Sequence, residues 1–172
     1  MKKTPVKPLV PNILTLSNLL LGMLSLIYTL NGNYKAAAFT ILLSTVLDRM
    51  DGKVARAWRV SSEFGKELDS LADLVSFGVA PAILVFVASL QQPMGVAGFM
   101  VAVTFAVCGA IRLARFNILN ISDYFLGMPI TIAGGLMAIT VLFAGYLATW
   151  MIVGITLLLA ALMVSPFRLP KF

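Results

Sequence analysis

The sequence contains no histidine and a single cysteine, Cys108, which sits inside an apolar run. The first absence excludes a mechanism built on an imidazole base. The second excludes an intrachain disulfide and a cysteine-ligated zinc site. Charge is scarce as well: Asp, Glu, Lys and Arg make up 12% of the 172 residues, about half of the roughly 25% usual in soluble domains. It is missing altogether from residues 74–111 and 124–167. No internal repeat or low-complexity segment is present.

What fills the space is apolar, with 60% of the residues hydrophobic. A bilayer-spanning helix takes ~20 mostly apolar residues, so each uncharged stretch accommodates two spans. Residues 13–30 and 36–47 supply two more. The expectation is an all-α integral membrane protein, one domain over residues 1–172, with six transmembrane helices at 12–30, 34–57, 66–90, 95–115, 129–146 and 150–165. Breaks are expected at Asn31-Gly32-Asn33, 60–65, 91–94, 117–128 and 145–149. Gly145, Tyr146 and Trp150 mark an interfacial turn, the depth that aromatics favour. The Met-Lys-Lys start imitates a signal peptide, but no small-residue cleavage site follows and the first run is long enough to span.

An even number of spans puts both termini on one side. That side then holds Lys2, Lys3, Lys7, Arg49, Lys53, Arg56, Arg59, Lys66, Arg112, Arg115, Arg168 and Lys171, against Lys35 alone on the other. This sorting fits the positive-inside rule with both termini cytoplasmic. The net charge of +6 is therefore topological. With no solvated basic domain and no basic stretch interleaved with exposed aromatics, nucleic acid is not an expected partner.

Acidic residues are fewer still, and they are concentrated. Six of the seven lie between Asp48 and Asp73, where a carboxylate at membrane depth costs ~2.5–3.5 kcal/mol on insertion scales. Asp48 and Asp51 are three apart and share a helix face, about 4.5 Å along the axis. Asp69 and Asp73 are four apart and share one too, with Gly65 a turn earlier on the same stripe. The short connector makes the two helices antiparallel neighbours, so their cytoplasmic ends bring the four carboxylates around one volume. Four carboxylates that close cannot all stay ionised without a counter-charge. Hard divalent cations supply it, Mg²⁺ being typically held by one or two carboxylates plus substrate phosphates. Two such ions clamp the attacking and leaving oxygens of a phosphoryl displacement. Gly52 lets a ligand approach the backbone, and Arg56, four residues on, offers a bidentate fork for phosphate. The competing reading is an interfacial ion-pair network with Arg49, Lys53, Arg56 and Lys66. It accounts for the charges but not for aspartate pairs bracketing Gly52 and Gly65.

The pattern D-x2-D-G-x2-A-R-x8-G-x3-D-x3-D, filled by Asp48, Asp51, Gly52, Ala55, Arg56, Gly65, Asp69 and Asp73, resembles the signature of the CDP-alcohol phosphotransferases. These membrane enzymes move a phosphatidyl or similar group from a CDP-linked donor to an alcohol and release CMP. The resemblance implies a six-helix bundle and two Mg²⁺ or Mn²⁺ ions bound by Asp48, Asp51, Asp69 and Asp73, with Asp73 also the general base. It implies CDP contacts from Gly52, Arg56 and Ser62, room for the nucleotide at Gly65, and Ala55 as a small packing residue beside it. A homodimer in the cell membrane follows from the family's habit, with the site facing the cytoplasm.

Segments outside the signature resemble the phosphatidylserine synthase branch of that family: Arg112-Leu-Ala-Arg-Phe-Asn117 after Cys108-Gly109, residues 125–135, residues 68–81, and Pro11-Asn12 with Thr15 and Asn18. One departure is Ile130, where relatives commonly carry a small residue or a second proline. The branch implies CDP-diacylglycerol and L-serine as substrates. Arg112 and Arg115 are the basic residues near the cytoplasmic end of the fourth span, and either suits the serine carboxylate. Lipid anchoring is an equal reading of both, and the same arginines suit the extra phosphate of glycerol 3-phosphate, the acceptor of a sister enzyme. Asn12, Thr15 and Asn18 recur every three residues on the first span, either lining the donor site or serving as a helix cap and interhelical bonds. Gly134-Gly135 reads as close helix packing, and Pro81 and Pro129 as kinks or helix starts. A cation transporter is the alternative of another class, but transporter sites lie near the bilayer midplane, whereas these carboxylates fall at helix ends.

Overall fold

A computed structural model describes residues 9–58, 63–119, 124–166 and 168–170, with side chains described for 12–49, 63–118 and 127–166. Six long helices run through these residues: α1 (Leu9–Leu30), α2 (Tyr34–Trp58), α3 (Glu63–Met94), α4 (Val96–Leu119), α5 (Ile130–Leu142) and α6 (Thr149–Val164). The helical class and the order of spans match the sequence reading. Residues 12–30 of α1, all of α3 and residues 96–118 of α4 are long and apolar enough to cross a membrane. The apolar α5 and α6 have 13 and 16 residues, about 20 and 24 Å of helix at 1.5 Å per residue.

The turns show why the helices stop where they do. Between α1 and α2, Gly32 takes φ +72°, and the Asn33 side chain accepts the Ala36 N–H at 3.2 Å, capping α2. Between α3 and α4 the expected break at 91–94 is displaced. Those residues remain helical, and the reversal falls on Gly95 at φ +52°. Only a glycine adopts that conformation cheaply, so the glycine, not the glutamines before it, sets the turn. After α4 a short strand β1 (Tyr124–Leu126) pairs antiparallel with β2 (Arg168–Pro170), Phe125 opposite Leu169. This small strand pair adds to the helical bundle a tie between the α4–α5 connection and the segment after α6.

α3 carries two π-helical stretches, Leu74–Val79 and Phe86–Leu90. Pro81 follows the first. Proline has no N–H for the carbonyl four residues back and its ring clashes there; the wider π turn, with Ala80 N–H bonded to Val75 O, accommodates it. The carbonyl in question, that of Phe77, is the atom that α5 approaches. A Cβ on Gly134 would lie 2.7 Å from it, so the close packing expected at Gly134 is observed. α1 approaches α3 in the same way, since a Cβ on Gly22 would lie 2.5 Å from Ser76 Oγ. Small residues at helix crossings are the membrane-bundle solution to close packing.

Pro129 starts α5 as its cap residue. The departure at Ile130 is absorbed by glycine: Ile130 is fully buried, and its Cδ1 sits where a Cβ on Gly109 would come within 2.8 Å. The core runs through Ile41, Phe77, Leu84, Phe105, Ile130 and Met137. Buried hydroxyls tie helices across it, such as Ser25 Oγ on α1 donating to Ala37 O on α2 at 3.0 Å.

Candidate active site

α2 and α3 pass one another so that Asp48, Asp69 and Asp73 meet. One carboxylate oxygen from each lies within 4.8 Å of the others. Asp69 and Asp73 share a face of α3 because they are one turn apart, and α2 delivers Asp48 opposite them. Asp73 is the most enclosed of the three, at 8% exposure, and its carboxyl is within hydrogen-bonding reach of that of Asp48. Asp51 lies three residues on from Asp48 in the same helix. Its side chain, with those of Ala55 and Arg56 and the surroundings of Gly52, falls outside the described residues, as does Ser62. Gly65 lies in α3, half-buried, one turn before Asp69.

Neutral side chains reach this cluster from α1 and α5, and hydroxyls of α2 and α3 hold the first of them. From α1, Asn18 Nδ2 donates to Asp73 Oδ1 at 3.4 Å. From α5, Thr131 Oγ1 donates to Asp48 Oδ2 at 3.3 Å. From α2, Ser44 Oγ donates to Asn18 Oδ1, and Ser76 Oγ of α3 donates to the Asn18 carbonyl at 3.0 Å. Thr131 and Ser44 escaped the sequence reading, because a lone hydroxyl in an apolar helix carries no spacing signal. Asn18 did stand out, through its three-residue periodicity with Asn12 and Thr15. Of that stripe Thr15 is buried at 4% exposure and Asn12 half-buried. Asn12 lies within α1, which begins at Leu9. The helix-cap reading of Asn12 is thereby corrected, since the helix starts earlier than its polar residues imply.

The two arginines of α4 separate. Arg115 Nη1 donates to Val164 O, the last residue of α6, at 2.8 Å. It satisfies a helix-terminal carbonyl, a favourable place for a cation. Arg112 is buried at 9% exposure, carries its charge close enough to Asp73 and Asp48 to interact with both, and stacks its guanidinium 5.6 Å from the Phe116 ring centroid. Its Nε has no hydrogen-bond partner among the described residues, and a buried unsatisfied donor on a charged group is costly. Beyond it, Asn117 Nδ2 donates to Ser70 Oγ at 3.0 Å, joining α4 to α3 beside the carboxylates.

Three hard oxygen donors at this spacing fit a divalent cation of the Mg²⁺ or Mn²⁺ type. The site also offers a buried cation beside the cluster of carboxylates. Compared with known proteins, residues 8–165 match the model of the CDP-alcohol phosphatidyltransferases. The chain belongs to the CDP-alcohol phosphatidyltransferase family. Members of this family are embedded in membranes and generally use divalent metals. Among its relatives, a CDP-diacylglycerol–serine O-phosphatidyltransferase of Helicobacter pylori strain J99 is 40% identical, over 98% of this chain and 75% of its own length. The Bacillus subtilis strain 168 protein of the same name is 37% identical over 95% of this chain and 90% of its own length. An archaetidylserine synthase of Methanothermobacter thermautotrophicus is 34% identical, over 94% and 69% respectively. As a CDP-alcohol phosphatidyltransferase, the chain has its aspartate cluster where α2, α3 and the neutral side chains of α1 and α5 converge.

Proposed function

We propose that this protein is a CDP-diacylglycerol–serine O-phosphatidyltransferase, transferring the phosphatidyl group of CDP-diacylglycerol to L-serine with release of CMP. Residues 1–172 act as one membrane domain and as a homodimer in the cell membrane, with both termini and the site on the cytoplasmic side. The observation that carries the reading is the meeting of Asp48, Asp69 and Asp73 within 4.8 Å in a chain of this family. The relatives' names support serine as the alcohol.

Asp48, Asp51, Asp69 and Asp73 would hold two divalent ions, Mg²⁺ or Mn²⁺, which when bound supply charge neutralisation at the donor pyrophosphate and the leaving phosphate. Gly52, Ala55, Arg56, Ser62 and Gly65, with Asn12 and Thr15 from α1, line the CDP side. Arg112, buried with a spare donor, takes the serine carboxylate, and Arg115 anchors α6. Asp73 accepts the serine hydroxyl proton as Oγ bonds to the lipid-side phosphorus. The bond from that phosphorus to the bridging oxygen breaks, and CMP leaves with the electron pair.

The test is CMP release by purified protein given CDP-diacylglycerol and, in turn, serine, glycerol 3-phosphate and inositol phosphate. Turnover with serine alone is expected. Equal or faster turnover with glycerol 3-phosphate overturns the serine assignment while leaving the family intact.

A further inference from the structure

Asn18 lies at the crossing of α1, α2 and α3, 2% exposed, and both ends of its amide are engaged. Ser44 Oγ donates to Oδ1, which leaves the donor end, Nδ2, for Asp73 Oδ1 at 3.4 Å. Its backbone carbonyl is held separately, by Ser76 Oγ at 3.0 Å. The Asp73 carboxyl sits among competing charges. Asp69 lies one turn back, Asp48 across from it on α2, and Arg112 within electrostatic reach on α4. Left alone, such a carboxyl turns toward the arginine and away from the carboxylates. It is also the last α-helical residue before the π stretch at Leu74–Val79, so its own helix changes geometry there.

We propose that Asn18 is the positioning residue for the Asp73 carboxyl, fixing through its Nδ2–H donation to Asp73 Oδ1 the orientation in which Asp73 takes the proton of the acceptor hydroxyl. A neutral amide suits the task because it directs the carboxyl without cancelling its charge. Ser44 is the second link, since its hydroxyl decides which end of the amide faces Asp73. The inference rests on the reading of Asp73 as general base.

Misplacement of a reacting group by about 1 Å costs up to 10²-fold. Asn18→Leu, close in volume but without the amide, is therefore expected to lower kcat about 10–100-fold with the KM for serine and for CDP-diacylglycerol within about threefold. Ser44→Ala is expected to lower kcat in the same sense by about threefold to tenfold. Ser25→Ala, which loses an α1–α2 bond to the Ala37 carbonyl and none to Asn18 or the carboxylates, keeps its kcat. Mn²⁺ affinity, read by electron paramagnetic resonance, falls by no more than about tenfold in Asn18→Leu, since Asp73 is one ligand among several, and kcat is therefore compared at saturating Mn²⁺. A normal kcat in Asn18→Leu overturns the inference. So does a kcat loss shared with Ser25→Ala, or one that saturating Mn²⁺ restores. If Asn18→Leu does not fold, Ser44→Ala decides by the same split. Asp73→Asn separates the two readings. An inactive Asp73→Asn beside a fully active Asn18→Leu removes only the positioning role, whereas an active Asp73→Asn removes the base itself.

Discussion

At the scale of single residues, the four aspartates of the signature differ in surroundings. Asp73 is the most deeply placed of the three that are described, and it meets an amide from α1. The two arginines of α4 differ as sharply. Arg115 is committed to the α6 terminus, while Arg112 is buried with an Nε that has no partner among the described residues. On the proposed function that spare donor belongs to the serine carboxylate. A charge-assisted hydrogen bond is worth about 1.5–3 kcal/mol, so Arg112→Met is expected to raise the serine KM about 10–100-fold with a smaller effect on the KM for CDP-diacylglycerol. Steady-state kinetics with each substrate varied in turn checks this. Equal changes in both KM values count against it.

At the scale of helices, the site depends on how closely α1 and α5 lie on α3. Glycines at two crossings permit this, Gly22 against Ser76 and Gly134 against the Phe77 carbonyl. Neither neighbour is the flexible tip of a side chain, so a larger residue must push backbones apart. Overpacking costs about 1–3 kcal/mol, occasionally more. Gly134→Val is expected to lower the thermal unfolding midpoint in detergent and to reduce activity, because Thr131, which bonds Asp48, rides on the same helix. Gly154→Ala on α6, where a Cβ meets nothing within 4 Å, is the control and is expected to leave both unchanged.

At the scale of the whole molecule, the helix order brings the α1–α2 and α3–α4 turns together. Tyr34 and Gln91, Gln92 and Pro93 line one cavity of about 530 Å³, at the opposite end of the bundle from the carboxylates. If the carboxylate end is cytoplasmic, as proposed, the exposed Asn33 and Tyr146 are external and Glu63 is internal. In a Cys108→Ser background, a membrane-impermeant maleimide applied to intact cells is then expected to label Asn33→Cys and Tyr146→Cys. Glu63→Cys would label only after permeabilisation. The reverse pattern rejects the orientation.

The sequence by itself determined the helical class, the order of spans and the family signature, because these rest on local properties: apolar run length, glycine and asparagine turns, and carboxylates at helical spacing. It misjudged the turn at Gly95, the start of α1 and the strand pair, where a backbone conformation or a distant partner decides. Only the tertiary structure decided what surrounds Asp73. Asn18, Thr131 and Arg112 reach the carboxylates from α1, α5 and α4 across separations of up to 83 residues, and Ser44 of α2 holds Asn18. No periodicity along the chain encodes such a meeting. It follows from glycines that let the helices close on one another and from buried polar groups that must find partners once they have.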